Sequence, residues 1–248
     1  MVLYRIEGKT MKNIDSAFYS DIGGRPNNED SYLNRKMDNF SVFVVADGLG
    51  GHNDGEVASY IAVKSIQESM IDNANDDIFT AIEYANAQVI AQQKETMSKM
   101  KTTIAMTYIK EEETIIAHVG DSRVYAFKDG KVIFQTLDHS ASQMAVAVGE
   151  ITLDEIRNHE DRNRLTRVLG ASEEIKIDAV SIQNDQYDAL LICSDGFWEY
   201  VLEEEMEETL VGSDSAINWL YKMRTIQANR APENCDNNTA IVIRNVIE

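Results

Sequence analysis

Proline and cysteine are scarce in this chain, with two of each among 248 residues. Two cysteines, Cys193 and Cys235, are too few for a disulfide framework, and no Pro-rich or Gly/Ser-rich stretch offers a linker. We therefore expect one domain over residues 1–248, a length that allows an ample core. The N-terminus lacks the apolar core of a signal peptide, and no run approaches the roughly 18 apolar residues of a membrane span. We expect a cytoplasmic protein.

Basic residues are also few compared with acidic ones. The 23 lysine and arginine residues face 42 acidic ones, which gives a net charge of −19. A field of this sign repels nucleic acid and anionic membrane surfaces, so we expect neither as a partner. It also means that a phosphorylated substrate needs a local positive charge or a bound metal in order to dock.

Several common site signatures are missing from the sequence. The four histidines lack any close ligand spacing and the two cysteines lie far apart, which argues against a zinc site. The chain contains neither G-x-x-x-x-G-K-[ST] nor G-x-S-x-G. A P-loop nucleotide enzyme and a hydrolase with a serine nucleophile elbow are therefore not indicated.

Hydrophobic periodicity predicts a mixture of antiparallel strands and helices. Strands are predicted at 16–23 (running into a turn-rich loop), 40–47, 102–109, 114–121, 123–135 (a hairpin turning at Asp129-Gly130), 175–183, 188–194 and 239–246, and helices at 56–72, from 77 onward, at 202–210 and at 214–228. Tight connections between strands favour antiparallel pairing over βαβ crossovers. We therefore expect an α+β layered fold and not a doubly wound sheet.

Acidic residues recur where the predicted strands begin or end. Three strands end at an aspartate beside a glycine, namely Asp47 in "VVADGLGGH", Asp121 in "IIAHVGD" and Asp195 in "LLICSDGFW". Asp236 in "CDNNTAIVI" precedes the last strand. One Asp-Gly is ordinary turn chemistry. Four such carboxylates would repel one another unless a cation lay among them, so the pattern predicts a site for a hard cation such as Mg²⁺ or Mn²⁺.

Eight ordered motifs resemble those of the metal-dependent, type-2C Ser/Thr protein phosphatases (the PPM family), and most closely their stand-alone bacterial form. The match runs from about residue 14 to residue 246. The motifs are "GGRPNNEDSY" (23–32), "VADGLGGHNDGEVAS" (45–59), "KTTIAMTYI" (101–109), "AHVGDSRVYAF" (117–127), "LDHS" (137–140), "RLTRVLG" (164–170), "LLICSDGFWE" (190–199) and "CDNNTAIVI" (235–243).

The resemblance implies a four-layer αββα sandwich, in which two central antiparallel β-sheets are flanked by helix pairs, with a flap segment near 141–162. It also implies two Mn²⁺ or Mg²⁺ ions at one end of the sandwich, bridged by a water whose hydroxide attacks phosphorus. The implied protein ligands are Asp47, which would bridge both ions, the carbonyl of Gly48, Asp195 and Asp236, with Glu29 and Asp30 acting through waters or by orienting their neighbours.

Three further positions carry implied roles. Arg25 would clamp the phosphate oxygens with its planar guanidinium, which answers the docking problem posed by the net charge. Asp121 either reaches a third, weaker metal site or caps the turn before the next strand. His52 either protonates the leaving alkoxide or orders waters and the loop, and we favour the second role.

The remaining histidines and the cysteines are expected to be structural. His118 alternates with apolar residues in a predicted strand and is expected to be a satisfied core histidine, and His139 is expected to be structural too. Cys193 and Cys235 each lie within two residues of a predicted ligand. Either the two thiols approach each other, so that oxidation or a soft metal inhibits the enzyme, or they are buried and inert.

The implied function is metal-dependent hydrolysis of phosphoserine and phosphothreonine in proteins by a monomer that opposes a bacterial Ser/Thr kinase. One alternative is a catalytically inactive pseudo-phosphatase that only binds phosphoproteins. The other is a specialised phosphatase of a regulatory phosphoserine protein, which usually carries an attached sensor or coiled-coil domain. We favour the enzyme, because every matched ligand is present and the sequence offers no such additional domain.

Overall fold

Two antiparallel sheets form the centre of the protein in the computed structural model, which describes residues 13–51, 54–73 and 77–246. One sheet has the strand order β1-β11-β10-β7-β8, and the other has the order β2-β3-β5-β6-β9, with the short β4 paired to β3. The strands are β1 (Asn13–Asp21), β2 (Asp30–Lys36), β3 (Ser41–Leu49), β4 (Lys101–Thr102), β5 (Ile104–Ile109), β6 (Glu113–Val119), β7 (Arg123–Lys128), β8 (Lys131–Gln135), β9 (Asp178–Gln183), β10 (Ala189–Cys193) and β11 (Asn238–Val246).

The central strands are apolar on both faces because each sheet is covered on both sides. Successive side chains of a strand point to opposite faces. In β3, Phe43 and Val45 pack between the two sheets, whereas Val42 and Val44 pack toward the helices. The facing sheet follows the same rule, since Leu190, Ile192, Ile241 and Ile243 lie in the inter-sheet core.

Helix pairs cover the outer faces of both sheets. Helices α1 (Asp54–Gln67), which continues into a π-helical turn (Glu68–Asp72), and α2 (Ile78–Thr96) pack on the sheet that contains β3. Helices α5 (Glu203–Val211) and α6 (Ala216–Arg230) pack on the other sheet. The four-layer α+β sandwich predicted from the sequence is therefore confirmed. No helix within the described ranges combines the length and the apolar character that crossing a bilayer requires.

The predicted flap segment contains two short helical pieces. Helix α3 (Ala141–Ala147) is capped by the Ser140 hydroxyl, which accepts the backbone N–H of Gln143. A 3₁₀ turn (Asp154–Asn158) follows and buries Ile156 in the core beneath α5 and α6. Val146 and Ile151, which precede this turn, also pack against that core.

The structure departs from the predicted elements in three places. Strand β2 was not predicted, because its only fully buried apolar side chain is Leu33 and it lies at a sheet edge. Strand β3 runs through Asp47 to Leu49, so Asp47 lies inside the strand and not at its end. Strand β9 begins at Asp178, later than the predicted start at 175, and only one side of it is paired.

Candidate metal centre

The acidic residues predicted from the sequence meet at one end of the sandwich. Asp30, at the start of β2, lies directly opposite Asp47 in the antiparallel register with β3. Asp195 begins the short helix α4 (Asp195–Trp198) immediately beyond β10. Asp121 follows β6, and Asp236 precedes β11. A cleft of about 500 Å³ opens here, and its lining includes the predicted residues Arg25, Glu29, Asp47, Gly48, Asp121, Asp195 and Asp236.

The backbone around Asp47 is held by two threonines that follow α2. The Asp47 N–H donates to the Thr103 hydroxyl at 2.9 Å. The Asp47 carbonyl accepts the Thr102 hydroxyl and the Thr103 N–H, both at 2.8 Å. Three hydrogen bonds therefore fix this residue from the neighbouring strand. No role was predicted for these threonines, although two adjacent polar residues at the start of a predicted buried strand are a usable signal.

A glycine is required at position 48 because β3 passes very close to the first turn of α1 there. Its N–H donates to the Glu29 carbonyl at 3.1 Å. A Cβ at this position would overlap the carbonyl oxygen of Gly55 in the first turn of α1. Only glycine therefore lets α1 begin beside β3, whatever else the Gly48 carbonyl does.

Asn237 and Ser194 tie the acidic residues together, and neither was predicted as part of the site. The Asn237 side chain accepts the Glu29 N–H at 2.8 Å and donates to the carbonyls of Ile22 and Asn27. The Ser194 hydroxyl donates to Asp30 Oδ2 at 2.8 Å and links the end of one sheet to the start of the other. Both are polar residues next to a motif aspartate, which is the signal that would have found them.

Burial raises the pKa of the clustered carboxyl groups. It raises the pKa of Asp195 to about 7, with further contributions from the charges of Glu199 and Asp236. It raises the pKa of Asp30 to about 6, although hydrogen bonds from Thr239 and Ser194 oppose the change. The pKa values of Asp47 and Asp121 also rise well above the ordinary value, because of burial first and the charge of Asp195 second. Full ionisation of these four carboxyl groups at neutral pH is therefore unfavourable in free energy.

The donor set fits a hard divalent cation. The carboxylate oxygens Asp30 Oδ1 and Asp195 Oδ1 are buried without a hydrogen-bond partner, and such orphaned acceptors are costly unless a cation or water satisfies them. Within the described residues, no three histidine, cysteine or acidic side chains converge tightly enough to hold an ion on their own. Mg²⁺ and Mn²⁺ prefer oxygen ligands of this kind, and Mg²⁺ usually keeps several waters as well.

Arg25 lies at the rim of the cleft and pairs with Asp236. Its Nη2 donates to Asp236 Oδ2 at 2.7 Å, and the two side chains are 51% and 39% exposed. An exposed ion pair of this kind contributes little to stability, roughly 0–1 kcal/mol. A phosphate entering the cleft could therefore compete for the guanidinium at small cost.

The histidine predictions differ in outcome. The ring of His118 is buried, and its Nε2 lies 2.8 Å from the Leu137 carbonyl, as expected of a satisfied core histidine. His139 stacks on it with ring centroids 4.5 Å apart and accepts the Gly120 N–H at Nδ1, so it too is structural. His52 lies outside the described residues, and its role stays a prediction.

The cysteines are both free thiols. Cys193 is fully buried in the core between its sheet and the helices, together with Phe197 and Trp219. Burial raises the pKa of its thiol far above the ordinary value. Because the thiolate is the reactive form, this supports the inert alternative for Cys193 over the oxidation hypothesis.

Comparisons with known proteins show which family the chain resembles and which solved structures share its fold. Residues 19–231 match the family model described as protein phosphatase 2C. The serine/threonine phosphatase stp of Listeria welshimeri serovar 6b is 32% identical over 197 residues, which cover 75% of this chain and 78% of that protein. A solved bacterial serine phosphatase aligns with a TM-score of 0.84 at 28% identity, over 95% of this chain and 99% of its own. The catalytic domain of the phosphatase PstP, solved in complex with two manganese ions, aligns with a TM-score of 0.79 at 27% identity, over 93% and 97% of the two chains.

Proposed function

Because this chain belongs to the protein phosphatase 2C family and is a metal-dependent protein serine/threonine phosphatase, we propose that it hydrolyses phosphoserine and phosphothreonine at a centre of two Mn²⁺ or Mg²⁺ ions. The observation that carries the proposal is the group of buried carboxyl groups with raised pKa values beside one exposed arginine. Such a group is costly unless cations neutralise it, and the arginine supplies the charge that a phosphate needs.

The proposed direct ligands are the carboxylates of Asp47, Asp195 and Asp236 and the carbonyl of Gly48. Asp30 and Glu29 are proposed to act behind them, since Asp30 is buried and held by Ser194, and the Glu29 backbone bonds Gly48 and Asn237. Asp121 is proposed to take part in a third, weaker site together with Asp195. When bound, a pair of divalent ions supplies an activated water nucleophile and neutralises charge on the phosphoryl oxygens.

Arg25 is proposed to bind and orient the phosphate of the substrate. Its guanidinium would exchange Asp236 for two phosphate oxygens, which its fork geometry matches. The backbone next to Arg25 is anchored beside Asp236, because the Gly24 N–H donates to the Cys235 carbonyl at 3.0 Å. Loss of Arg25 should therefore raise KM more than it lowers kcat.

The substrates are phosphorylated proteins, and we propose that a cognate Ser/Thr kinase supplies them in the cytoplasm. A monomer is the proposed state. The proximity of the acidic residues argues against the inactive pseudo-phosphatase, since Glu29, Asp47, Asp121, Asp195 and Asp236 line one cleft and Asp30 lies opposite Asp47. The specialised phosphatase of one regulatory phosphoprotein has no observation in its favour.

The test is hydrolysis of p-nitrophenyl phosphate and a phosphothreonine peptide, with Mn²⁺ and with EDTA. Wild type should turn over both substrates only with a divalent ion, and Asp195→Asn should lose at least about 100-fold in kcat. Asp38→Asn is the matched control, since Asp38 is an exposed aspartate away from the cleft. Folded wild-type protein without turnover under any divalent ion would overturn the proposal.

A further inference from the structure

A buried aromatic ring supports the backbone of Asp121. Trp198 lies three residues after Asp195 and is 1% exposed. Its Nε1 donates to the Asp121 carbonyl at 2.9 Å. The guanidinium of Arg123 lies over the same ring, 3.5 Å from its centroid. The position of Asp121 at the cleft therefore depends on how Trp198 is held.

Arg123 is itself held by a buried carboxylate. Its Nε and Nη2 each donate to Asp138 at 2.8 Å, and both side chains are almost fully buried. A second acid, Glu203 at the start of α5, lies 3.8 Å from Arg123 Nη1. Glu203 also accepts the Tyr125 hydroxyl at 3.0 Å, but without a cation of its own it would compete with Asp138 for Arg123.

Arg157 is that cation, and it comes from the flap segment. Its Nη2 donates to Glu203 Oε2 at 2.5 Å, between residues 46 positions apart in the chain. The Arg157 side chain is 9% exposed, and its guanidinium carbon is 5.6 Å from the centroid of Trp198. Burial acts to raise the pKa of Glu203, but the Arg157 guanidinium outweighs it and holds that pKa below its usual value.

The Arg157–Glu203 ion pair determines which acid pairs with Arg123 beside the Trp198 ring. With Arg157 on Glu203, Arg123 keeps both of its short bonds to Asp138 and stays over Trp198. Without Arg157, Glu203 would be a partly buried carboxylate whose nearest cation is Arg123. The Tyr125 hydroxyl would remain as a neutral partner of Glu203, but a partly buried carboxylate that has lost its cation is unfavourable. Arg123 would therefore be drawn toward Glu203 and away from the ring.

We propose that Arg157 is a positioning residue for the Asp121 part of the metal centre, acting through Glu203, Arg123 and Trp198. The inference rests on the proposed function, since it assumes that Asp121 takes part in binding a divalent ion. It makes the 3₁₀ turn of the flap (Asp154–Asn158) part of the support of the cleft. Changes in the flap would then alter metal affinity without any contact with the ions.

The experiment is a Mn²⁺ titration of Arg157→Met and Arg157→Lys, followed by quenching of tryptophan fluorescence and by p-nitrophenyl phosphate hydrolysis. Arg157→Met should raise the Mn²⁺ concentration at the midpoint of the weakest phase by about 3- to 10-fold. Arg157→Lys, which keeps the charge, should stay within about 2-fold of wild type. KM at saturating Mn²⁺ should not change in either variant, because neither alters Arg25.

Arg230→Met is the matched control. Arg230 makes a two-bond ion pair with Glu205, on the same helix as Glu203, and its ring and charge contacts do not include Trp198. Its removal should leave the Mn²⁺ midpoint where it is. A double-mutant cycle that combines Arg157→Met with Asp121→Asn is decisive. In the Asp121→Asn background, Arg157→Met should cause no further change in the Mn²⁺ concentration at the midpoint of the titration.

Three results would overturn the inference. The Mn²⁺ midpoint of Arg157→Met could equal that of wild type while only the melting temperature falls, which would make the role purely structural. The midpoint could change by the same factor in the Asp121→Asn background, which would remove Asp121 from the argument. If wild type itself neither bound Mn²⁺ nor hydrolysed the substrate, the proposed function would fail and the inference with it.

Discussion

Replacing Asp195 with asparagine should stabilise the folded protein when divalent ions are absent. In the unfolded chain this carboxyl group titrates near the ordinary value of about 4, whereas in the folded protein its pKa is about 7. Between these values the folded protein holds a proton that the unfolded chain has released. The stability due to this group is therefore complete below about pH 4 and is lost as the pH rises through about 7.

The size of the effect follows from the difference between the two pKa values. Each pH unit of difference corresponds to about 1.4 kcal/mol, so about three units correspond to about 4 kcal/mol. Asp195 keeps part of its surface open to the cleft, and water there reduces the cost of the charge. We therefore expect Asp195→Asn to be about 2–3 kcal/mol more stable than wild type at pH 8 in EDTA. At pH 5 the gain should shrink to about 1.4 kcal/mol, because folded wild type is then protonated at this position and only the unfolded chain is ionised.

Urea denaturation followed by circular dichroism, at pH 5, 6, 7 and 8 in EDTA, measures this difference. Asp38→Asn, at an exposed position, should change the unfolding free energy by less than about 0.5 kcal/mol at every pH. At saturating Mn²⁺ wild type should be more stable than Asp195→Asn, since wild type gains binding energy that the variant has lost. A gain that is the same at pH 5 and pH 8, or a loss at pH 8, would refute the account of Asp195 as a carboxylate strained by burial.

Three other outcomes test separate parts of the structure. Arg123→Met leaves Asp138 as a buried charge without its partner, so the unfolding free energy measured by urea denaturation should fall by about 3–5 kcal/mol. The double variant Arg123→Met/Asp138→Leu should recover most of that loss. Equal losses in the single and double variants would contradict the pairing. Gly48→Ala forces the new Cβ into the Gly55 carbonyl, so kcat should fall at least about 10-fold, and unchanged kinetics would show that the contact relaxes freely. Mn²⁺ at about 100 times its Kd should add about 2.7 kcal/mol to the stability of the metal-free protein, and a melting temperature indifferent to Mn²⁺ would contradict binding.

The four layers of the fold and the candidate acidic residues could be predicted from the sequence. The contacts that hold these residues in place could not. Asp47, Asp121 and Asp195 are detectable because each closely follows a mostly apolar run, which marks a buried strand. Strand β2 gave no such signal, since it lies at a sheet edge and Leu33 is its only buried apolar side chain. Its first residue, Asp30, was predicted through its motif alone.

The supporting contacts could not be predicted because they join residues far apart in the chain. The Arg157–Glu203 pair spans 46 positions, and the Asp30–Ser194 hydrogen bond spans 164. Local periodicity carries no information about such pairs. The arginine and glutamate were indistinguishable from the many solvated charges of an acidic protein until the fold placed both beside Trp198.

The cleft draws its carboxylates from both sheets, which ties metal binding to the packing of one sheet on the other. Asp30 and Asp47 belong to the sheet of β2 and β3, whereas Asp195 and Asp236 flank β10 and β11 of the facing sheet. When the carboxyl groups are ionised and no metal is bound, their like charges repel across this end of the sandwich, and contacts such as the Ser194–Asp30 and Glu29–Asn237 hydrogen bonds oppose that repulsion. Ions bound between the two sets would turn that repulsion into attraction across the sandwich. The open end of the inter-sheet core should therefore gain more protection from amide hydrogen exchange on Mn²⁺ binding than the outer helices do.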